Sequence, residues 1–115
     1  MVTKYLTQNL SSSGLNSDIQ VGAIGLTLKL TIKEKGSIVD ISGVLTKKII
    51  IKRPDNSILT YDATFFTDGT DGIIYYTTIA GDINTAGTYS VQAYFVFNTF
   101  TGFSTISQFI VNANL

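Results

Sequence analysis

Apolar and polar residues alternate along most of this chain. The cleanest run is Leu26 to Lys33, where Leu26, Leu28, Leu30 and Ile32 fall on one side and Thr27, Lys29, Thr31 and Lys33 on the other. A period of two is that of a β-strand, and a strand apolar on one face only belongs to an antiparallel sheet with one wet side. The same period returns in the stretch Gly81 to Phe97. Tyr89, Val91, Ala93, Phe95 and Phe97 point one way; Ser90, Gln92, Tyr94, Val96 and Asn98 point the other. Thr46 to Arg53 places Ile49 and Ile51 on one face, and Ile50 on the other with Lys48 and Lys52.

Shorter strands are expected at Asp18 to Val21, at Ser37 to Ile41 with Val39 and Ile41 inward, and at Ile73 to Thr78. A return strand is expected from Ile58 to Phe66. A closing strand should run from Phe103 to about Asn112, with Phe103, Thr105, Ser107, Phe109 and Val111 on one side. Turn residues separate these runs. Pro54-Asp55-Asn56-Ser57 presets the backbone at its first corner and stabilises the next with a short polar side chain. Thr67 to Gly72 holds two Asp-Gly pairs around Thr70. No segment carries a helical stripe.

About seven strands at regular spacing predict an all-β sandwich. The approach to Tyr89 sharpens that expectation. A tight polar segment, Asp82 to Thr88, lies between Gly81 and Gly87 and feeds a Tyr, with the core residue Val91 two places on. That is the pattern of a tyrosine corner in an immunoglobulin-like fold, and antibody domains carry a Cys at the position of Val91. The predicted architecture is a single immunoglobulin-like antiparallel β-sandwich over residues 18–115, preceded by an extended polar arm over 1–17. The arm is either a free terminus or a segment that docks on a neighbouring subunit.

Composition narrows the function classes. One domain fits 115 residues. Charged residues make up only 14% against 44% hydrophobic, so part of the surface is expected to be covered by something other than water. The chain has no Cys and no His. Disulfides, His/Cys zinc sites and Ser-His-Asp or Cys-His catalysis are thereby excluded. No apolar run approaches a membrane span, and the first residues lack the apolar core of a secretory signal. Net charge is zero, which argues against a nucleic-acid or membrane surface. The charges are nevertheless sorted along the chain. Eight bases against three acids leave residues 1–53 at +5, and five acids without a base leave 54–115 at −5.

Candidate interaction residues follow. Phe95, Phe97 and Phe103 suit a core. Tyr94 lies on the opposite face of its strand, Phe100 on a loop, and one of Tyr75 and Tyr76 must face outward; these are the candidates for a protein–protein contact, with sugar stacking as the other reading. Lys48 and Lys52, beside Lys47 and Arg53, form either a solvated strand that resists sheet-to-sheet pairing or a contact for an acidic partner. No aromatic residue interleaves them, as a nucleic-acid groove would require. Asp68 and Asp71 are too few for calcium, and turn chemistry alone explains them. Asp62, Asp68, Asp71 and Asp82 lack a concave scaffold for carboxylate catalysis. No catalytic, metal or cofactor residue is assigned.

Taken in order, several motifs carry a family resemblance. They are the strand Leu26 to Lys33, VDIS (Val39 to Ser42), KKIIIKRPDNS (Lys47 to Ser57), TDGTDG (Thr67 to Gly72), IIYYTT (Ile73 to Thr78), AGDINTAGTYSVQAY (Ala80 to Tyr94) and the closing VNANL. The chain resembles, over roughly residues 18–115, the small immunoglobulin-like virion domain of tailed bacteriophages, and is similar to the N-terminal domain of the phage baseplate upper protein. The resemblance implies a non-enzymatic structural part of the virion, present in many copies. Its implied partners are other virion proteins of tail, neck, baseplate or capsid, together with its own copies. In baseplate upper proteins such a domain heads a longer chain. Because this sequence stops with the domain, a free-standing tail, neck or capsid-surface protein is expected as well. The alternative expectation is a glycan-binding module on the virion surface.

Overall fold

The computed structural model describes residues 7–12 and 19–115. Among them are eleven strand segments and no helix. In chain order they are β1 (Thr7–Ser12), β2 (Ile19–Gln20), β3 (Thr27–Glu34), β4 (Ser37–Ile38), β5 (Thr46–Lys52), β6 (Ile58–Asp62), β7 (Thr64–Phe65), β8 (Ile73–Thr77), β9 (Gly87–Val96), β10 (Thr101–Phe103) and β11 (Ser107–Asn112). Seven of these have five residues or more, and the others are short extensions at sheet margins.

The strands form two facing sheets. Sheet one runs β1-β3-β8-β7, with β4 also on β3; sheet two runs β2-β11-β9-β5-β6, with β10 also on β9. Every ladder is antiparallel except β2 with β11, which is parallel and short, pairing Ile19 with Val111 and Gln20 with Asn112. The alternation read from the sequence places the core. Leu28, Leu30, Ile32 and Ile74 from sheet one meet Ile49, Ile51, Val91, Ala93 and Phe95 from sheet two, all shut off from solvent. Each such Leu or Ile contributes about 1.5–3 kcal/mol through the apolar area it withdraws from water.

The expected return strand from Ile58 to Phe66 is two strands. Its first part, β6, pairs with β5 in sheet two, and its second, β7, pairs with β8 in sheet one. The chain crosses between sheets at Ala63. Its small buried side chain fits between them, and its N–H still bonds Lys47 O at 3.0 Å. The expected closing strand is also broken. Ser104 is buried opposite Ala93, its Oγ accepting from Ala93 N at 2.9 Å and donating to Thr105 O at 2.9 Å. Between Ser104 and Ser107 the register against β9 slips by one residue, as in a β-bulge. That slip reverses the pleat, so Phe103, expected in the core, is 54% exposed, while Phe109 and Val111 still point inward.

The N-terminal segment is extended where it is described. There it is an edge strand of the same chain, with Thr7 opposite Lys33 and Ser12 opposite Leu28. The rest of the expected arm, residues 1–6 and 13–17, lies outside the described residues.

Two turns fix the frame. At 54–57, Asp55 Oδ1 accepts from Ser57 N at 3.0 Å and Asn56 adopts a φ of 71°, which Asn tolerates. At Gly87 the φ is 135°, and a Cβ would stand 2.8 Å from the Pro54 ring. Glycine there lets the head of β9 pass directly under the β5–β6 turn.

Candidate functional site

Tyr89 closes the core as the approach segment suggested. Its ring is fully buried and stacked on Phe109 with centroids 5.1 Å apart. Its hydroxyl donates to Thr85 O at 2.7 Å and accepts from Thr85 N at 3.2 Å. This is the tyrosine-corner bond, reaching back to the backbone a few residues upstream. Val91, two residues on, is fully buried.

A second tyrosine assembly was not foreseen. Asp82 is 3% exposed and accepts three hydrogen bonds: from Tyr61 OH at 2.6 Å, Tyr76 OH at 2.6 Å and Ile79 N at 2.9 Å. Tyr61 comes from β6 in sheet two and Tyr76 from β8 in sheet one, and their rings stack in parallel at 4.4 Å. The group is a clasp between the two sheets, built on one buried carboxylate. Burial, and then the bond to Asp82, push the Tyr76 hydroxyl well above the ordinary tyrosine range; the bond to Asp82 also raises Tyr61. Arg53 lies nearby, its guanidinium donating to Gly81 O at 3.0 Å. Tyr76 is therefore the inward member of the tyrosine pair, held in the clasp.

Tyr75 faces outward from sheet one. It meets Phe66 edge-on at 6.2 Å, and Lys29 Nζ sits 4.0 Å above the other ring. Phe100 folds back rather than projecting. It is half-buried beside Phe97 and lies over Gly102, where a Cβ would come within 2.6 Å of its ring.

The outer face of sheet two carries the remaining candidates. Tyr94 packs against Phe103 with ring centroids 5.0 Å apart. Lys48 pairs with Asp62 at 2.8 Å, and Lys52 is exposed two same-face positions further along, past Ile50. Beside Lys52, Ile50, Ile58 and Ile106 wall a shallow apolar groove with Ser90 and Gln92 on its floor. Ile58, Ile106 and Ile110 are each more than half exposed. Sequence reading missed these isoleucines as surface features. A signal existed at Ile50, whose pleat parity is that of Lys48 and Lys52. The same signal existed at Ile106 and Ile110, which the alternation of the closing strand puts on the side opposite Phe109 and Val111.

The acidic turn is occupied with its own donors. Asp68 accepts from Thr70 N and Oγ1 at 3.0 and 2.6 Å, which holds its carboxyl below the usual range. Asp71 accepts from Ile73 N at 3.0 Å and Thr67 Oγ1 at 2.8 Å. Among the described residues, no group of three or more acids could hold a metal ion.

Two facing antiparallel sheets, a tyrosine corner and broad outer faces define the protein as an immunoglobulin-like sandwich module. A crystal structure of CopC from Methylosinus trichosporium OB3b shares this fold at TM-score 0.54 and 14% identity, covering 98% of this chain and 99% of that one. Comparison with curated protein sequences finds no match. The model of the baseplate upper protein (BppU) N-terminal domain matches residues 8–114, and the chain belongs to that family. It is a structural component of the phage virion, of the baseplate class. The matched region begins within β1, so it takes in part of the segment expected to be an arm.

Proposed function

We propose that this chain is a non-enzymatic docking module that joins neighbouring virion proteins, including its own copies, through the outer face of sheet two. The observation that supports this is the exposed apolar set on that face. Tyr94 and Phe103 lie ring to ring at one end, and Ile58, Ile106 and Ile110 stand out along the rest. Burying such a patch withdraws apolar area from water, and a central aromatic residue supplies about 2 kcal/mol or more of the contact. The glycan reading is less well supported. Tyr76 has its ring stacked on Tyr61, Phe100 is half-buried and Lys29 caps Phe66, so few flat ring faces remain for a sugar.

The test is incorporation. Phage particles assembled with a Tyr94→Ala/Phe103→Ala chain should contain far fewer copies by quantitative peptide mass spectrometry, while the isolated variant keeps its β-sheet circular dichroism. Unchanged copy number would overturn the assignment to this face. Binding of the native chain on a glycan array, lost in Tyr94→Ala, would favour the glycan reading instead.

A further inference from the structure

The terminal strand of sheet two is open. β6 pairs with β5 on one side, and among the described residues nothing pairs with its other side. Ala63 N donates to Lys47 O, and Arg53 N donates to Ser57 O. In an antiparallel ladder bonded pairs alternate, so residues 57, 59, 61 and 63 spend their backbone groups on β5. The N–H and C=O groups of Ile58, Thr60 and Asp62 therefore point out of the sheet. Unpaired edges of this kind template another strand unless Pro, a bulge or inward charge blunts them. β6, reading ILTYD, contains no Pro and no Gly, and its one charge, Asp62, points outward.

The geometry points to a second copy of this chain on that edge, β6 against β6 about a two-fold axis at Thr60, so that sheet two runs on across both molecules. This rests on the reading of the protein as a multi-copy structural part and names the surface. Charge decides the direction of pairing. A parallel arrangement would set Asp62 beside Asp62 of the second copy. The antiparallel one sets each Asp62 beside Ile58, with the two acids at opposite ends. Lys52 neighbours Ile58 on β5 and makes no ion pair among the described residues. It would then lie two strands, about 9–10 Å, from Asp62 of the second copy, an attractive pairing rather than a repulsive one. Ile58, 62% exposed in the single chain, would gain a neighbour on its open side. Such an interface is isologous and closes on itself, so it gives a dimer and no fibre.

Cysteine cross-linking tests the register directly, because the chain has no Cys of its own. In this pairing Thr60 faces Thr60 of the second copy in a bonded pair, about 5.5 Å between Cα atoms, which suits a disulfide. The Thr60→Cys chain should become a covalent dimer under mild oxidation much faster than Thr77→Cys, a control at an exposed end of sheet one. Thr60→Lys, which puts like charges face to face at the axis, should weaken dimerisation of the native chain about fivefold or more by sedimentation equilibrium. A native chain that stays monomeric at about 100 μM, weaker than the micromolar class of specific complexes, would overturn the proposal. So would Thr60→Cys oxidising no faster than Thr77→Cys. Either failure would leave the outer-face docking untouched, because that reading stands on copy number in particles of the Tyr94→Ala/Phe103→Ala chain.

Discussion

Two tyrosine assemblies hold this sandwich, and they work differently. The Tyr89 corner is local and neutral: its hydroxyl bonds a backbone carbonyl four residues upstream. The clasp is long-range and charged: Tyr61 and Tyr76 reach from different sheets to one buried carboxylate 21 and 6 residues away in the chain. The corner fixes the entry of one strand into its own sheet. The clasp fixes the distance between the sheets where β6 and β8 run near each other. A neutral bond of the first kind contributes about 1 kcal/mol net, whereas bonds to a charged acceptor contribute about 1.5–3 kcal/mol each. The clasp, the less conspicuous assembly, is therefore the costlier one to break.

Asp82→Ala removes the acceptor of the whole clasp. It strands two hydroxyls and the Ile79 N–H together and should cost about 3 kcal/mol in urea unfolding, the largest loss of the set. Next, Tyr76→Phe should cost about 2 kcal/mol and Tyr89→Phe about 1 kcal/mol by the same measurement. Equal losses would mean that the carboxylate adds nothing beyond an ordinary bond. Because Tyr61 and Tyr76 share Asp82, their Phe variants should be non-additive, whereas Tyr76→Phe and Tyr89→Phe should add.

The smallest effect is the pH dependence. Tyr61 and Tyr76 have folded-state values raised above the ordinary 10.0. The protonated hydroxyl is thus favoured by folding, so this stability is complete below pH 10 and is lost as pH rises above it. The unfolding midpoint should fall between about pH 10 and 11, where unfolded tyrosines ionise, and the Tyr61→Phe/Tyr76→Phe chain should show a flatter profile.

The same contrast explains what could be read in advance. Strands β3, β5 and β9 announce themselves because pleat parity and apolar residues coincide over seven to ten positions. The corner was legible because all its parts lie within Gly81 to Val91. Asp82 looked like one more loop acid, since nothing local reveals that Tyr61 and Tyr76 converge on it. The sheet crossing at Ala63 carries no Gly or Pro, and the register slip after Ser104 is hidden in a run of small polar residues. That slip turned Phe103 from an expected core residue into part of the outer face. Phe100 was read as projecting because it sits on a loop, but packing against Phe97 outweighs loop position. For the outer face of sheet two, composition points to apolar surface left over, and pleat parity puts Tyr94 on the outer side of β9. The alternation also puts Ile50, Ile106 and Ile110 on that side, but a single sequence does not give the strand order that brings them together.

The short parallel ladder between β2 and β11 has a mechanical consequence. Ile19 lies beside Val111 and Gln20 beside Asn112, and just beyond them Val21 N bonds Asn112 O at 3.1 Å and Asn114 Nδ2 bonds Val21 O at 2.9 Å. Tension drawn between residue 19 and residue 112 pulls two parallel strands along each other. The bonds are then strained together, in shear, whereas an antiparallel hairpin pulled at its open end would release them one after another like a zip. A load applied between those two residues would thus break these bonds together rather than in sequence.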